Sequence, residues 1–313
     1  MKKILTFLLI LLVSTSLFAV NYSLTTDFAY YPKSDPVGTT KDFNFAPING
    51  PYSALEFRTT LNGSHVIPIP GDGILTSGNN IKLNGSFELS PVSIKPGFSV
   101  TYTPLALLNV QAGANILTGW FLPGLNVQGV GLWDGTKYVS KDLNAVVHEV
   151  WAQATLQFDL AAVMPGDWNH VVTLNTFKLS HTGLSGKEAA NGTAWLLQGS
   201  GEKVNGFKYN ANFTFGYQMP LLLNMVGAQV ILNGYLGDAY KEYKALDGFM
   251  TTNICPTMIF KFNDQHNLAL QFQFTTRPSY AVATKGSERL NNTLPVGSEM
   301  FFDRIALSYT VSF

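Results

Sequence analysis

Charge is scarce in this chain. Of 313 residues, 13% are charged, against roughly 25% in an ordinary soluble domain. Twenty Lys and Arg balance twenty Asp and Glu. That neutrality argues against nucleic acid as a partner, because capture of a phosphate backbone needs a basic surface. Cysteine is scarcer still. Cys255 stands alone, so no intramolecular disulfide can form, and a small buried strand residue is its plain reading. Five scattered histidines make a metal site unexpected, and no other cofactor is called for. Phosphate-binding loops and dinucleotide fingerprints are absent. Beyond the N-terminal segment no apolar run reaches the roughly 18 residues of a membrane helix. No helical period of 3.6 persists there either. Any membrane association must then use strands, since only helices and closed barrels satisfy their backbone groups in lipid.

What is abundant is aromatic and small: 22 Phe, 13 Tyr, 5 Trp and 28 Gly, in a chain that is 46% apolar. The first residues form a distinct unit. Met1-Lys2-Lys3 is positive, Ile4 to Val13 is almost unbroken in apolar residues, and Ser14 to Ala19 is more polar and cleavable. This is the layout of a secretory signal peptide. We expect residues 1–19 to be removed after Ala19, leaving 20–313 as the mature chain. Leu17 is bulkier than usual three residues before such a cut. An uncleaved anchor is the alternative, but the apolar core is short for a span.

The mature chain is dominated by period two. From Phe207 to Met219, the odd positions Phe207, Tyr209, Ala211, Phe213, Phe215, Tyr217 and Met219 are apolar. The even ones, Lys208, Asn210, Asn212, Thr214, Gly216 and Gln218, are polar or small. On a strand those sets occupy opposite faces. The pattern recurs at Ile81 to Ser90, Phe98 to Thr103, Val150 to Leu160 and Leu268 to Thr275. Weaker versions span Tyr22 to Tyr31, Ser53 to Gly63, Val110 to Trp120, Asn169 to His181, Leu223 to Leu236 and Met250 to Phe262. With Phe302 to Phe313 this makes about twelve strands, with 10 or 14 as alternatives, each of the length that crosses a bilayer at a tilt.

The connections alternate. Short ones lie near 104–109, 161–168, 219–223 and 263–266. Long ones, rich in Gly, Ser, Asn and Pro, lie at 32–52, 121–145, 182–204, 237–249 and 277–301. Transmembrane barrels alternate short periplasmic turns with long extracellular loops. Two links invert the lengths. By parity the long stretch 65–80 falls on the short-turn side, and the tight link 91–94 on the long-loop side.

The last segment carries a resemblance. Ile305, Leu307, Tyr309, Val311 and Phe313 alternate with Arg304, Ala306, Ser308, Thr310 and Ser312. This resembles the C-terminal strand of Gram-negative-type outer-membrane β-barrel proteins of the porin-like superfamily. The resemblance covers the export signal, the last strand and the strand–turn rhythm, and names no specific family. It implies an all-β fold, a single antiparallel transmembrane β-barrel in the cell outer membrane. It also implies that Tyr309, Val311 and Phe313 serve as a signal to the barrel-assembly machinery. A secreted soluble β-sandwich ending in Phe is the alternative, because antiparallel sandwiches also alternate.

If the apolar set faces lipid, the lumen receives Glu56, Arg58, Lys82, Glu88, Lys95, Glu149, Asp159, Lys208, Lys261 and Arg304, among many Asn, Gln, Ser and Thr. The expected function is a passive channel for small hydrophilic solutes, with outer-membrane lipid as its surroundings. The slight basic excess makes a mild anion preference conceivable. A filled lumen with a structural or adhesin role is the alternative. The segment 121–138 is apolar for an external loop. It either folds inward as a constriction or continues as strand above the membrane, and the second is favoured. An outer-membrane lipid hydrolase is the least favoured reading. His181, Ser185, Asn191 and Trp195 lie near one strand end, but His181 and Ser185 are four residues apart, whereas outer-membrane phospholipases separate their His and Ser by one residue.

Overall fold

In the computed structural model, the described residues are 20–32, 55–124, 127–133, 138–140, 144–190, 192–197, 201–237, 239, 248–280 and 295–313. The expected signal segment and the 33–54 connection lie outside them. Twelve strands form one closed antiparallel barrel: β1 (Val20–Tyr30), β2 (Leu55–Pro68), β3 (Asn80–Ser90), β4 (Ser93–Leu105), β5 (Leu108–Gly119), β6 (Val147–Asp159), β7 (His170–Leu184), β8 (Gly206–Gln218), β9 (Leu223–Tyr235), β10 (Thr251–Lys261), β11 (His266–Tyr280) and β12 (Pro295–Ser312). Each strand pairs with its neighbour in sequence. The last closes on the first, with Leu24 opposite Val311 and Phe28 opposite Leu307. Closure leaves no strand edge unpaired, as a lipid solvent requires.

The two chain ends meet. Tyr22 and Phe313 exchange backbone hydrogen bonds at 3.1 and 2.9 Å, and their rings stack with centroids 6.1 Å apart. The 69–79 segment turns at this end, and the tight Ser90–Ser93 turn lies at the other, so the inverted link lengths do not disturb the parity. At the termini end, Asn263 Oδ1 accepts from the backbone N–H groups of Gln265 and His266, both at 2.9 Å. That side-chain mimic of a turn fixes the β10–β11 hairpin. Asp264 in this turn is exposed, and the hydrogen bond and charge of Lys261 hold its carboxyl below the usual carboxylate range.

The faces separate sharply. On β4, Phe98 is 57% exposed and its neighbour Ser99 is 8% exposed. Phe28, Phe57, Phe87, Val110, Val150, Leu156, Phe177, Phe207, Phe215 and Leu307 are likewise exposed on the outside. An apolar belt that continues around the whole wall far exceeds the few hundred Å² a water-soluble surface shows. A soluble sandwich buries its apolar faces against each other; here they point outward. The fold is a transmembrane barrel.

Three differences from the sequence expectation bear on the interior. β4 starts at Ser93, ahead of Phe98, because Pro96 and Gly97 conceal its first turn of pleat. β11 and β12 run to Tyr280 and from Pro295, shortening the expected 277–301 connection. Their register shifts where Gln273 faces Arg304 and Phe274 faces Phe302, so Asp303 is an extra residue. A bulge of this kind breaks period two and hides the strand beyond it.

The third difference is the 121–138 segment. It does not prolong β5 or β6. Phe121–Leu122 pairs with Val127–Gln128, and Val130–Trp133 joins a separate four-stranded sheet with Tyr138–Ser140, Trp195–Leu197 and Gly201–Lys203. That sheet folds inward. Val130, Leu132 and the fully buried Trp195 pack against Leu117, Val147 and Leu184, which lie on the polar-facing sides of β5, β6 and β7 in register with Glu149 and Thr182.

Candidate functional site: the lumen and its charged wall

Among the described residues, two cavities open within the barrel wall. One of about 240 Å³ is bounded by Arg58 of β2, Lys95 of β4, Glu149 of β6 and Lys208 of β8, together with Trp195 and Leu197 of the inward sheet. A single space touching strands from β2 to β8 is interior. The other, about 680 Å³, lies toward the termini. Asn21, Lys82, Gln111, Trp151 and Ser312 line it. Asn115 borders both.

The inward sheet is pinned at the mouth by specific contacts. Asn205 Oδ1 accepts from Trp195 Nε1 at 2.9 Å and from the Leu184 backbone N–H at 2.8 Å, while Asn205 Nδ2 donates to the Leu184 carbonyl at 3.0 Å. The Tyr235 hydroxyl donates to the Val204 carbonyl at 3.1 Å. On the opposite flank the loop backbone lies directly on the β3–β4 turn. A Cβ at Gly129 would sit 2.2 Å from the Val92 carbonyl oxygen, and one at Gly119 2.7 Å from it. Only glycine permits that approach.

Most of the wall charges are arranged in pairs. Arg58 Nε donates to Asp27 at 2.9 Å and Arg58 Nη1 to Glu56 at 3.2 Å. Arg304 reaches Glu56 at 3.4 Å and the Tyr31 hydroxyl at 2.9 Å; that hydroxyl donates to Glu56 at 2.5 Å. Lys95 bonds Glu88 at 2.8 Å. Lys178 bonds Glu149 at 2.7 Å and lies 5.0 Å from the Trp151 ring centroid. Asp159 pairs with His170 at 2.7 Å and accepts from the Ala161 backbone at 3.0 Å. Lys261 pairs with Asp264 at 2.8 Å. Apart from Lys208 and Lys261, the remaining sector, on β8 to β11, carries neutral polar side chains among the described residues. Asn210 donates to Asn233 at 2.5 Å, Gln271 to Gln229 and Thr257 at 3.3 Å, and Thr275 to Asn253.

All ten residues singled out from the sequence alternate with the outward apolar set. Glu56, Arg58, Glu88, Lys95, Glu149 and Lys208 come together around the smaller cavity, and Lys82 lines the larger one. Asp159 and Lys261 sit apart, at strand ends near the termini-side turns. Arg304 joins the β1–β2 cluster from across the closure seam. Sequence reading missed Asp27, Lys178 and Asp303 on this wall. It also missed Asn205 and Tyr235, which hold the inward sheet. With the three wall residues included, the two signs come close to balance.

Tyr309, Val311 and Phe313 face outward on the last strand. The Tyr309 hydroxyl lies 2.7 Å from His266 Nδ1. The hydrolase candidates do not assemble. His181 points outward and stacks on His148 at 5.5 Å and edge-on with Phe207 at 5.0 Å. Ser185 Oγ instead accepts the Val146 backbone N–H at 2.9 Å. Trp195 is buried in the inward sheet, and Asn191 lies outside the described residues.

The closed twelve-strand wall, apolar outside and polar inside, is that of an outer-membrane-type β-barrel. No family model and no curated protein matches the sequence. Among solved structures, the chain is similar to the KdgM porin, at 8% identity over 93% of this chain and 99% of that one, with a TM-score of 0.39. It is similar to the β domain of the Bordetella autotransporter BrkA, at 9% identity over 94% and 100%, TM-score 0.45. An outer-membrane channel from Pseudomonas putida F1 resembles it at 13% identity over 94% and 95%, TM-score 0.44.

Proposed function

We propose that this protein is a passive channel of the cell outer membrane for small hydrophilic solutes. A cleaved signal peptide, residues 1–19, exports the chain. The termini and short turns lie in the periplasm, and the long loops face outward. The observation that carries the reading is a pair of interior cavities lined by charged, hydroxyl and amide side chains, with Asn115 bordering both. Solutes diffuse past them without bond chemistry. The inward sheet narrows the mouth, so the conductance is small. Paired wall charges make selectivity weak, with a slight anion preference.

The C-terminal strand, through Tyr309, Val311 and Phe313, is the part that the assembly machinery engages, and outer-membrane lipid covers the apolar belt. Planar-bilayer recording of refolded protein tests the function. Small, steady single-channel steps are expected. Their absence in folded protein would move the function to a structural or surface-binding role with a filled lumen.

A further inference from the structure

Every lumen-side carboxylate described above is already held by a neighbour. Asp27 and Glu56 have Arg58 and Arg304, Glu88 has Lys95, Glu149 has Lys178, Asp159 has His170, and Asp303 accepts from Gln273 at 2.9 Å. Two ammonium groups are left over. Among the described residues, Lys208 makes no ion pair and only lies 5.0 Å from the centroid of the Tyr235 ring. Lys82 makes none either; beyond the strand ladder, Asn84 donates to its backbone carbonyl at 3.4 Å.

Each of these lysines borders a different cavity, Lys208 the smaller and Lys82 the larger. A second observation points the same way. The indole Nε1 of Trp151, a lining residue of the Lys82 cavity, is buried without an acceptor. Buried donors in native proteins nearly always have a partner, and an orphan calls for an unseen one. The cation calls for negative charge and the N–H donor for an acceptor, and an oxyanion supplies both.

We propose that Lys208 and the Lys82–Trp151 pair form two successive docking stations for small solutes bearing an oxyanion, carboxylate or phosphate. Asn115, bordering both cavities, marks the passage between them. Hydroxyls and amides complete the stations: Thr182, Ser90 and Ser93 line the Lys208 cavity, and Asn84, Ser99 and Gln111 line the Lys82 cavity. An arriving anion exchanges its water for a charged donor, an interaction about twice as strong as a neutral hydrogen bond. The paired cations do not compete, because their charge is spent on a carboxylate. The stations rest on the channel reading for their role in transport, but they bind whether or not the barrel conducts.

The test uses the full mature barrel refolded in detergent micelles, with folding of each variant confirmed by circular dichroism. Inorganic phosphate and propionate are titrated separately by calorimetry at low ionic strength, where screening is weakest. Wild type binds saturably. K82Q and K208Q each weaken binding by about tenfold, the loss of one charged hydrogen bond. W151F weakens it with all charges kept. K187Q, which removes the same charge from an exposed residue of the short helix Lys187–Ala190, leaves it unchanged. Binding of one probe alone supports the stations and names the solute chemistry.

In bilayers, the wild-type reversal potential leans toward chloride, and the double variant K82Q/K208Q moves it toward potassium. Binding that persists in the double variant overturns the proposal, and so does an equal loss in K187Q. Absent conductance with lysine-dependent binding retained would sink the channel reading and leave the stations standing.

Discussion

Phe213 and Asn212 are neighbours in the chain and opposites in surroundings. Phe213 meets lipid on the outer face of β8, where it lies edge-on to Phe177 at 5.7 Å. Asn212 accepts from Thr214 on the inner face at 3.3 Å. An Arg at Phe213 should cost about 2 to 4 kcal/mol if the site lies near the bilayer midplane. The same change at Asn212 places the guanidinium in a polar lumen and should cost much less. Urea titration of the two variants folded into lipid vesicles checks this. Equal losses would mean the faces are assigned wrongly.

At this scale the sequence was readable wherever one face was wholly polar. It failed on β7, where Val172 and Leu174 share the inner face with Lys178, and on β1, where outward Thr26 blurs the parity that places Asp27 inside. Unpaired and paired lysines look identical in a sequence, because pairing depends on which strands adjoin.

Two elements decide whether the barrel works, the inward sheet and the closing strand. The inward sheet hangs on Trp195, whose burial and hydrogen bond to Asn205 couple it to the end of β7. Replacing Trp195 by Ala removes a large buried side chain, a change that costs about 3 to 5 kcal/mol in a core. That loss falls on a loop cluster and not on the ladder of strands. We therefore expect single-channel conductance to rise while the barrel's melting temperature stays close to wild type. Unaltered conductance would show that the sheet is no constriction.

The closing strand makes a second prediction. Removing Phe313 deletes the stack on Tyr22, and replacing both Tyr309 and Phe313 by Ala deletes the hydrogen bond to His266 as well. Unfolded chain should accumulate in the periplasm of expressing cells, as judged by protease sensitivity. Wild-type assembly would contradict the signal role. The terminal strand was legible because its alternation is unbroken from Arg304 onward. The inward sheet was not, since its strands are three or four residues long. No period can be read from so short a run, and an apolar loop fits a plug or a strand equally well.

For the whole molecule, everything turns on a wall with lipid on one side and a polar lumen on the other. Closure, strand number and parity follow from period two and from the lengths of the connections, and these were open to sequence reading. The shape of the interior was not, because it comes from loops folding back onto strands distant in the chain. The most direct test is a nitroxide scan along β8, from Phe207 to Gln218, with Cys255 first replaced by Ser. Collision rates with dissolved oxygen and with a water-soluble nickel complex are measured for each position in lipid vesicles. Oxygen access should peak at Phe207, Tyr209, Ala211, Phe213, Phe215 and Tyr217, and nickel access at the positions between, with a strict period of two. A flat profile, or one in which nickel reaches the phenylalanine positions, would contradict a membrane barrel.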